Sequence, residues 1–333
     1  CSDDAPFSMV AQLLGTPDAG GSWVGPGGAH GNQFNPASDL SGAYVYTVAG
    51  SAPCANASAT LTITINQRPN AGTNGAITLC STDGVYNLFN SLGGSPSVSG
   101  TWQDPQGNAH SGSFTPGTSQ PGTYAYTVTG LAPCAPSSAT VNVSVNAAPN
   151  AGTGTSITRC SNNAPFSLFA LLTGNPDPGG AWSGPAGAHG GTFDPASDPP
   201  GAYVYTVNGL APCANATATI NVAVNPAPNA GIGGNIAVCA NDAPFNLFGI
   251  LTGGPDGTGS WSGPGGAMNG TFTPGTSAAG VYMYTVTGLA PCLPASSTVT
   301  VSVTPPPDPG SNGSVTVCSN AAPVDLFTLL GGT

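Results

Sequence analysis

Lysine and glutamate are absent from this 333-residue chain, and the only arginines are Arg68 and Arg159. All 13 acidic residues are aspartate, so the formal charge is -11 with only 5% of residues charged. A chain this poor in cations cannot neutralise a phosphate backbone, which excludes nucleic acid as a partner. It also lacks the basic clusters that hold anionic lipid surfaces. Without Lys or Glu there is no Schiff-base lysine, no HExxH zinc site and no P-loop. A Gly-x-Ser-x-Gly elbow is missing too. No apolar run approaches the roughly 18 residues of a membrane span, so direct membrane insertion is not expected. Nor does a signal peptide precede Cys1, which sits inside a repeat; the sequence reads as a window cut from a longer chain.

What is present is a repeat. Gly (50) and Pro (34) are abundant, yet 39% hydrophobic residues in regular alternation can build cores. Cys1, Cys80, Cys160, Cys239 and Cys318 open successive copies 79 or 80 residues apart. Trp23, Trp102, Trp182 and Trp261 each follow their cysteine by 22 residues. The pairs Tyr44/Tyr46, Tyr124/Tyr126, Tyr203/Tyr205 and Tyr282/Tyr284 come next, each in Gly-x-Tyr-x-Tyr-Thr-Val, and Cys54, Cys134, Cys213 and Cys292 close each copy in Ala-Pro-Cys. Self-similarity at this period marks an array of like units. The expected domains are 1–66 (N-terminally truncated), 67–146, 147–225, 226–304 and the truncated start of a fifth at 305–333.

Within each copy the elements read as strands. Leu61, Ile63 and Ile65 alternate with threonines, as do Val141, Val143 and Val145, then Ile220, Val222 and Val224, then Val299, Val301 and Val303. Period-two alternation predicts one buried and one wet face. The Tyr-x-Tyr segment, the residues leading into each opening cysteine and the segment around each Trp predict further strands, punctuated by Gly/Pro/Asn/Asp turns. One stretch departs from this. Ser8, Asn87, Ser167, Asn246 and Asp325 stand as helix N-caps before an apolar pair, another apolar residue and Gly, as in Leu88, Phe89, Leu92 and Gly93. The pattern predicts a helical turn or two, capped by a side-chain oxygen and stopped by Gly, with a short bent strand as the alternative.

A unit of about 80 residues buries a modest core and calls for extra restraint. Pairing each opening cysteine with the Ala-Pro-Cys of its own copy predicts Cys1–Cys54, Cys80–Cys134, Cys160–Cys213 and Cys239–Cys292, leaving Cys318 without a partner in this window. Regular pairing implies an oxidising, extracellular setting. The Lys–Asn isopeptide bonds that staple some Gram-positive pilin-like domains cannot form here, so disulfides are the available staples. No CxxC occurs, and spacings near 53 do not suit zinc.

The stretch Ser38 to Tyr46, with Trp23 upstream, resembles the tyrosine-corner region of immunoglobulin-like sandwiches. It departs from antibody domains in placing Tyr46 where those carry their second cysteine. The resemblance implies an all-β tandem array of immunoglobulin-like β-sandwich domains of ~79 residues, each with a short helical turn and one internal disulfide. Residues 179–185 (Gly-Gly-Ala-Trp-Ser-Gly-Pro), 193–198 (Phe-Asp-Pro-Ala-Ser-Asp), 203–213 and 228–231 (Pro-Asn-Ala-Gly) resemble repeats of very large Bacteroidota cell-surface proteins, similar to gliding-motility-type adhesins exported by type IX secretion. That resemblance spans the whole chain. It implies a non-enzymatic cell-surface or secreted stalk, filament or adhesin, whose partners are neighbouring repeats, other copies of itself and a surface or glycan ligand that it does not identify. The alternative is a filament or sheath subunit assembled by strand complementation between chains; a glycan-binding module is the third reading.

Candidate sites are weighed against plainer roles. His30, His110 and His189 share one loop position, held by Met268 in the fourth copy, which argues for structure and against catalysis. Asp18, Asp177 and Asp256 share a Pro-Asp turn, replaced by Ser97 in the second copy, and Asp39 and Asp198 share another, replaced by Ser119 and Ser277. Turn residues that satisfy local backbone groups explain this better than a calcium loop. No cofactor is expected, and an interdomain calcium is the one ion left open. Trp23, Trp102, Trp182 and Trp261, with Tyr44, Tyr124, Tyr203 and Tyr282, are assigned to the core, ahead of a sugar-stacking role for the tryptophans. Since Pro69 follows Arg68, trypsin has one good site, at Arg159. Tryptic digestion of the native, unreduced chain is expected to give at most that cut on a denaturing gel; many fragments would contradict a protease-resistant surface.

Overall fold

The computed structural model describes residues 1–330, which form strands and short 3-10 turns, with no α-helix among the described residues. The chain divides into two compact units, residues 1–150 with 207–216, and residues 151–206 with 217–333. Its sheets recur in phase with the sequence period.

The second repeat shows the pattern. One sheet runs in the order Ala109–His110, Thr101–Gln103, Gly122–Val128, Ser137–Asn146 and Gly75–Cys80. All neighbours are antiparallel except the last, where Gly75–Cys80 runs parallel to Ser137–Asn146, with Ile77 opposite Val143 and Cys80 opposite Asn146. A two-stranded ladder of Tyr86–Asn87 with Ser113–Phe114 forms the facing layer. The third and fourth repeats repeat both sheets; the first has four strands in its larger sheet. This is the all-β immunoglobulin-like sandwich that the resemblance implies, with Leu88, Trp102, Phe114, Tyr124, Tyr126, Val141 and Val143 buried between the layers.

Two tyrosines lock each core. The first hydroxyl donates to a carbonyl four residues upstream: Tyr44 to Leu40 O at 2.8 Å, Tyr124 to Gln120 O at 2.8 Å and Tyr203 to Pro199 O at 2.8 Å. This is the tyrosine corner. The second hydroxyl is held from two sides: Tyr205 donates to Asp177 O at 2.7 Å and accepts from Gly180 N at 2.8 Å. Gly21, Gly100 and Gly259 donate to Tyr46, Tyr126 and Tyr284 in the same way. Glycine is required there, because a Cβ on Gly180 would lie 2.5 Å from Thr206 O and 2.6 Å from the Tyr205 ring.

Two expectations are corrected. The helical segment is a 3-10 turn of three or four residues, such as Leu88–Ser91. Asn87, Asn246 and Asp325 cap it, accepting from Phe89 N, Phe248 N and Phe327 N. Where serine stands, the turn starts one residue later, after Met9 or Leu168, and Ser167 Oγ accepts from Ala170 N at 3.4 Å. In the first repeat Asn32 accepts from Val10 N instead. Glycine does not stop these turns; each ends on a leucine in extended backbone, for example Leu92.

The second correction concerns the disulfides. Cys1 bonds Cys134, Cys80 bonds Cys213 and Cys160 bonds Cys292, at separations of 133, 133 and 132 residues. The expected pairs Cys1–Cys54, Cys80–Cys134, Cys160–Cys213 and Cys239–Cys292 do not form, and Cys54, Cys239 and Cys318 are free thiols. Each bond lies inside one compact unit yet joins consecutive repeats. The parallel strand is the reason. Cys80 stands opposite Asn146, the last residue of a ten-residue strand, whereas Cys134 precedes its first residue, Ser137. These ends lie about 30 Å apart, and a disulfide tolerates Cα separations only up to about 7 Å.

Replacing Gly180 by Ala is expected to destabilise the third repeat by about 1–3 kcal/mol through overpacking under Tyr205. Faster amide exchange in the Gly201–Val207 strand, with the second repeat unchanged, is the expected readout.

Candidate functional site at the repeat junctions

The same set of groups recurs at the three junctions that link the first four repeats. Cys80 and Cys160 each end a parallel strand, and the serine after each opening cysteine turns back: Ser2, Ser81 and Ser161 donate their N–H groups to Asn66 O, Asn146 O and Asn225 O, each at 2.9 Å. Their hydroxyls accept from the start of the connector, from Arg68 N at 3.0 Å and from Ala148 N and Ala227 N at 2.9 Å. The asparagine side chain then reaches forward. Asn66 donates to Ala132 O at 2.7 Å, Asn146 to Ala211 O at 2.8 Å and Asn225 to Ala290 O at 2.7 Å. Those carbonyls belong to the Ala-Pro-Cys loops, whose Ala–Pro bonds are cis. The disulfide completes the joint beside them, with Cα atoms 4.9, 5.0 and 5.0 Å apart.

The serine and asparagine were not singled out from the sequence, although a signal was there. Serine follows every opening cysteine except at Ala240, and asparagine closes each long alternating strand except at Thr304.

The sequence-predicted residues lie elsewhere. Trp23, Trp102, Trp182 and Trp261 are 3–8% exposed. They stack on Tyr46, Tyr126, Tyr205 and Tyr284 with ring centroids 4.9–5.0 Å apart. An indole turned inward offers no face to a sugar ring. Tyr44, Tyr124, Tyr203 and Tyr282 are buried as well. Burial raises the pKa of each of these four hydroxyls, so each keeps the proton that its corner bond needs.

The histidines pack beside the corner. His189 lies with its ring centroid 4.8 Å from that of Tyr203, and its Nε2 is 3.3 Å from Asp198 Oδ2. His30 meets Asp39 at 3.2 Å in the first repeat. The carboxylates themselves accept loop backbone groups, Asp39 from Asn35 N at 2.6 Å and Asp198 from Asp194 N at 2.7 Å. The bond from Asp194, and then the bond and charge of His189, hold the Asp198 carboxyl below its ordinary range against the opposing effect of burial. Ser119 and Ser277 accept the equivalent bonds from Thr115 N and Thr273 N, each at 3.0 Å. Serine and aspartate thus do one job, closing a turn. Among the described residues no group of three His, Cys or Asp side chains is placed to hold a metal ion.

No protein-family model and no curated protein matches the chain. Solved structures do. The chain is similar to the I-band fragment I67-I69 from titin, with a TM-score of 0.38 and 9% identity over 70% of this chain and 97% of that one. It is also similar to Sidekick-1 immunoglobulin domains 1-5 (TM-score 0.26, 12% identity, 85% and 72% covered). A third is the N-terminal four Ig domains of Dscam1 isoform 6.9 (TM-score 0.28, 13% identity, 90% and 90% covered). All are tandem immunoglobulin-domain fragments.

Alkylation of the unreduced, denatured chain is expected to label Cys54, Cys239 and Cys318 and to spare the other six cysteines. Mass spectrometry after non-reducing digestion should link the Cys80 peptide to the Cys213 peptide. A Cys80–Cys134 link would overturn the junction geometry.

Proposed function

We propose that this chain is a non-enzymatic segment of an extracellular stalk, part of a large bacterial cell-surface adhesin, supplying reach and stiffness for surface attachment or gliding. The observation that carries the reading is the repeated junction, in which a disulfide and the same neutral hydrogen bonds join consecutive repeats. A recurring, covalently fixed joint serves a protein whose product is mechanical continuity. Disulfides at three successive joints suit an oxidising compartment outside the cytoplasm. The Gly/Ser/Thr/Asn surface, nearly free of cations, supports the same setting. The resemblance of residues 179–185 and 203–213 to Bacteroidota adhesin repeats supports a stalk on that class of cell, with type IX secretion as its export route. Neighbouring repeats are its standing partners.

An antibody against the oxidised chain is expected to label intact, unpermeabilised cells of the source organism, and labelling only after permeabilisation would sink the reading. Sedimentation of the oxidised chain should give a monomer at all concentrations. Regular end-to-end assembly would favour the filament subunit, and saturable saccharide binding the glycan module.

A further inference from the structure

The order of the cysteines along the chain has a mechanical consequence. The three disulfides overlap: Cys80 lies inside the Cys1–Cys134 loop, while Cys134 and Cys160 lie inside the Cys80–Cys213 loop. Two covalent routes result. One enters at Cys1, crosses to Cys134, follows the Ser137–Asn146 strand and the connector into the Ser156–Cys160 strand, and crosses to Cys292 and the Ala295–Thr304 strand. The other follows Ala57–Ile63 into Gly75–Cys80, crosses to Cys213, and follows Ala216–Asn225 into Asn235–Cys239. In each of the second, third and fourth repeats, one strand of each route forms the parallel pair of the larger sheet. Both routes therefore run through backbone that is already extended. The rest of each repeat, with its Trp and Tyr-x-Tyr strands, hangs from these routes as a side loop.

We infer that the disulfides make this array a tether of fixed length, in which a pull on the chain ends is carried by extended strands and S–S bonds and no repeat can unfold to lengthen it. Tension follows the shortest covalent path. From Cys1 to Thr333 that path leaves the first bond at Cys134, runs to Cys160 and resumes at Cys292. It contains about 67 residue steps in place of about 332, roughly 230 Å of contour against roughly 1,150 Å at ~3.5 Å per residue. A tandem array without such bonds lengthens one repeat at a time. This inference goes beyond the stalk reading and depends on it only for where load is applied, so cell labelling and the following measurement fail independently.

The test is single-molecule stretching of the full, oxidised chain through thiol-free tags at its two ends. The expected trace has no unfolding steps and stiffens at roughly 230 Å. Adding reductant should release stepwise unfolding out to roughly 1,150 Å. The double variant Cys134→Ser, Cys292→Ser keeps only the Cys80–Cys213 bond and should stop at roughly 700 Å, from about 199 residue steps. Own-repeat pairing would instead place the limit of the unmodified chain near ~420 Å, from about 119 steps. That value, or unfolding steps beyond 230 Å without reductant, overturns the inference.

Discussion

The direction of one short strand governs how the repeats are joined. Gly75–Cys80 lies parallel to Ser137–Asn146, and its counterparts Ser156–Cys160 and Asn235–Cys239 lie parallel to the last strand of their own repeats. A parallel first strand carries its final residue to the end of the sheet from which the chain leaves. The opening cysteine is thus delivered to the next repeat, while the Ala-Pro-Cys loop sits at the end where the previous repeat arrives. Had the strand been antiparallel, both cysteines would lie at one end and the repeat would close on itself. Parallel pairing slightly weakens the ladder per residue. In exchange, the covalent bond falls at the joint, where an array of small domains is otherwise weakest.

Such a joint transmits orientation only if the ends of each sheet are firm. The Tyr-x-Tyr strand lies between the Trp strand and the last strand, so the two tyrosines fix both its neighbours. Tyr124 ties the loop before the strand, and Tyr126 ties the loop before the Trp strand, from Ser97 O to Gly100 N. Each buried hydroxyl bond contributes on the order of 1 kcal/mol net and would cost more if left unmade. The larger return is positional, because Val128 ends this strand and the loop to Cys134 starts beside it.

Much of this was legible in the sequence. Period-two alternation at Val141, Val143 and Val145, the fixed Trp position and the Tyr-x-Tyr motif place strands and core, because each reflects burial that depends on local spacing alone. The turn at Leu88–Ser91 was legible as a capped segment, but cap chemistry does not distinguish 3-10 from α geometry, and the stop by Gly was misplaced by one residue. Disulfide partners were not legible. In a sequence of period 79, Cys54 and Cys134 are equivalent by translation, so Cys1–Cys54 and Cys1–Cys134 fit the repeat equally. Strand direction breaks the tie, and Ile77-Thr78-Leu79 reads the same whether it pairs parallel or antiparallel. Asn66, Asn146 and Asn225 were visible as a recurrent strand-ending residue. A side chain that reaches into the following repeat leaves no mark of its target in composition.

The near absence of cations is consistent with how the joints are made. Arg68 pairs with Asp3 at 3.2 Å across the exposed surface of the first junction. Ala148 and Ala227 stand at its position in the next two, and their backbone N–H groups make the same bond to serine that Arg68 N makes. The charge is therefore an addition to one joint and not part of the design common to all three. An exposed pair of this kind contributes about 0–1 kcal/mol and is weakened by salt. Neutral amide–carbonyl bonds and disulfides are indifferent to ionic strength. A surface that dispenses with lysine and glutamate gives up interactions that a change of salinity would disturb, and the bonds that all three joints share are neutral.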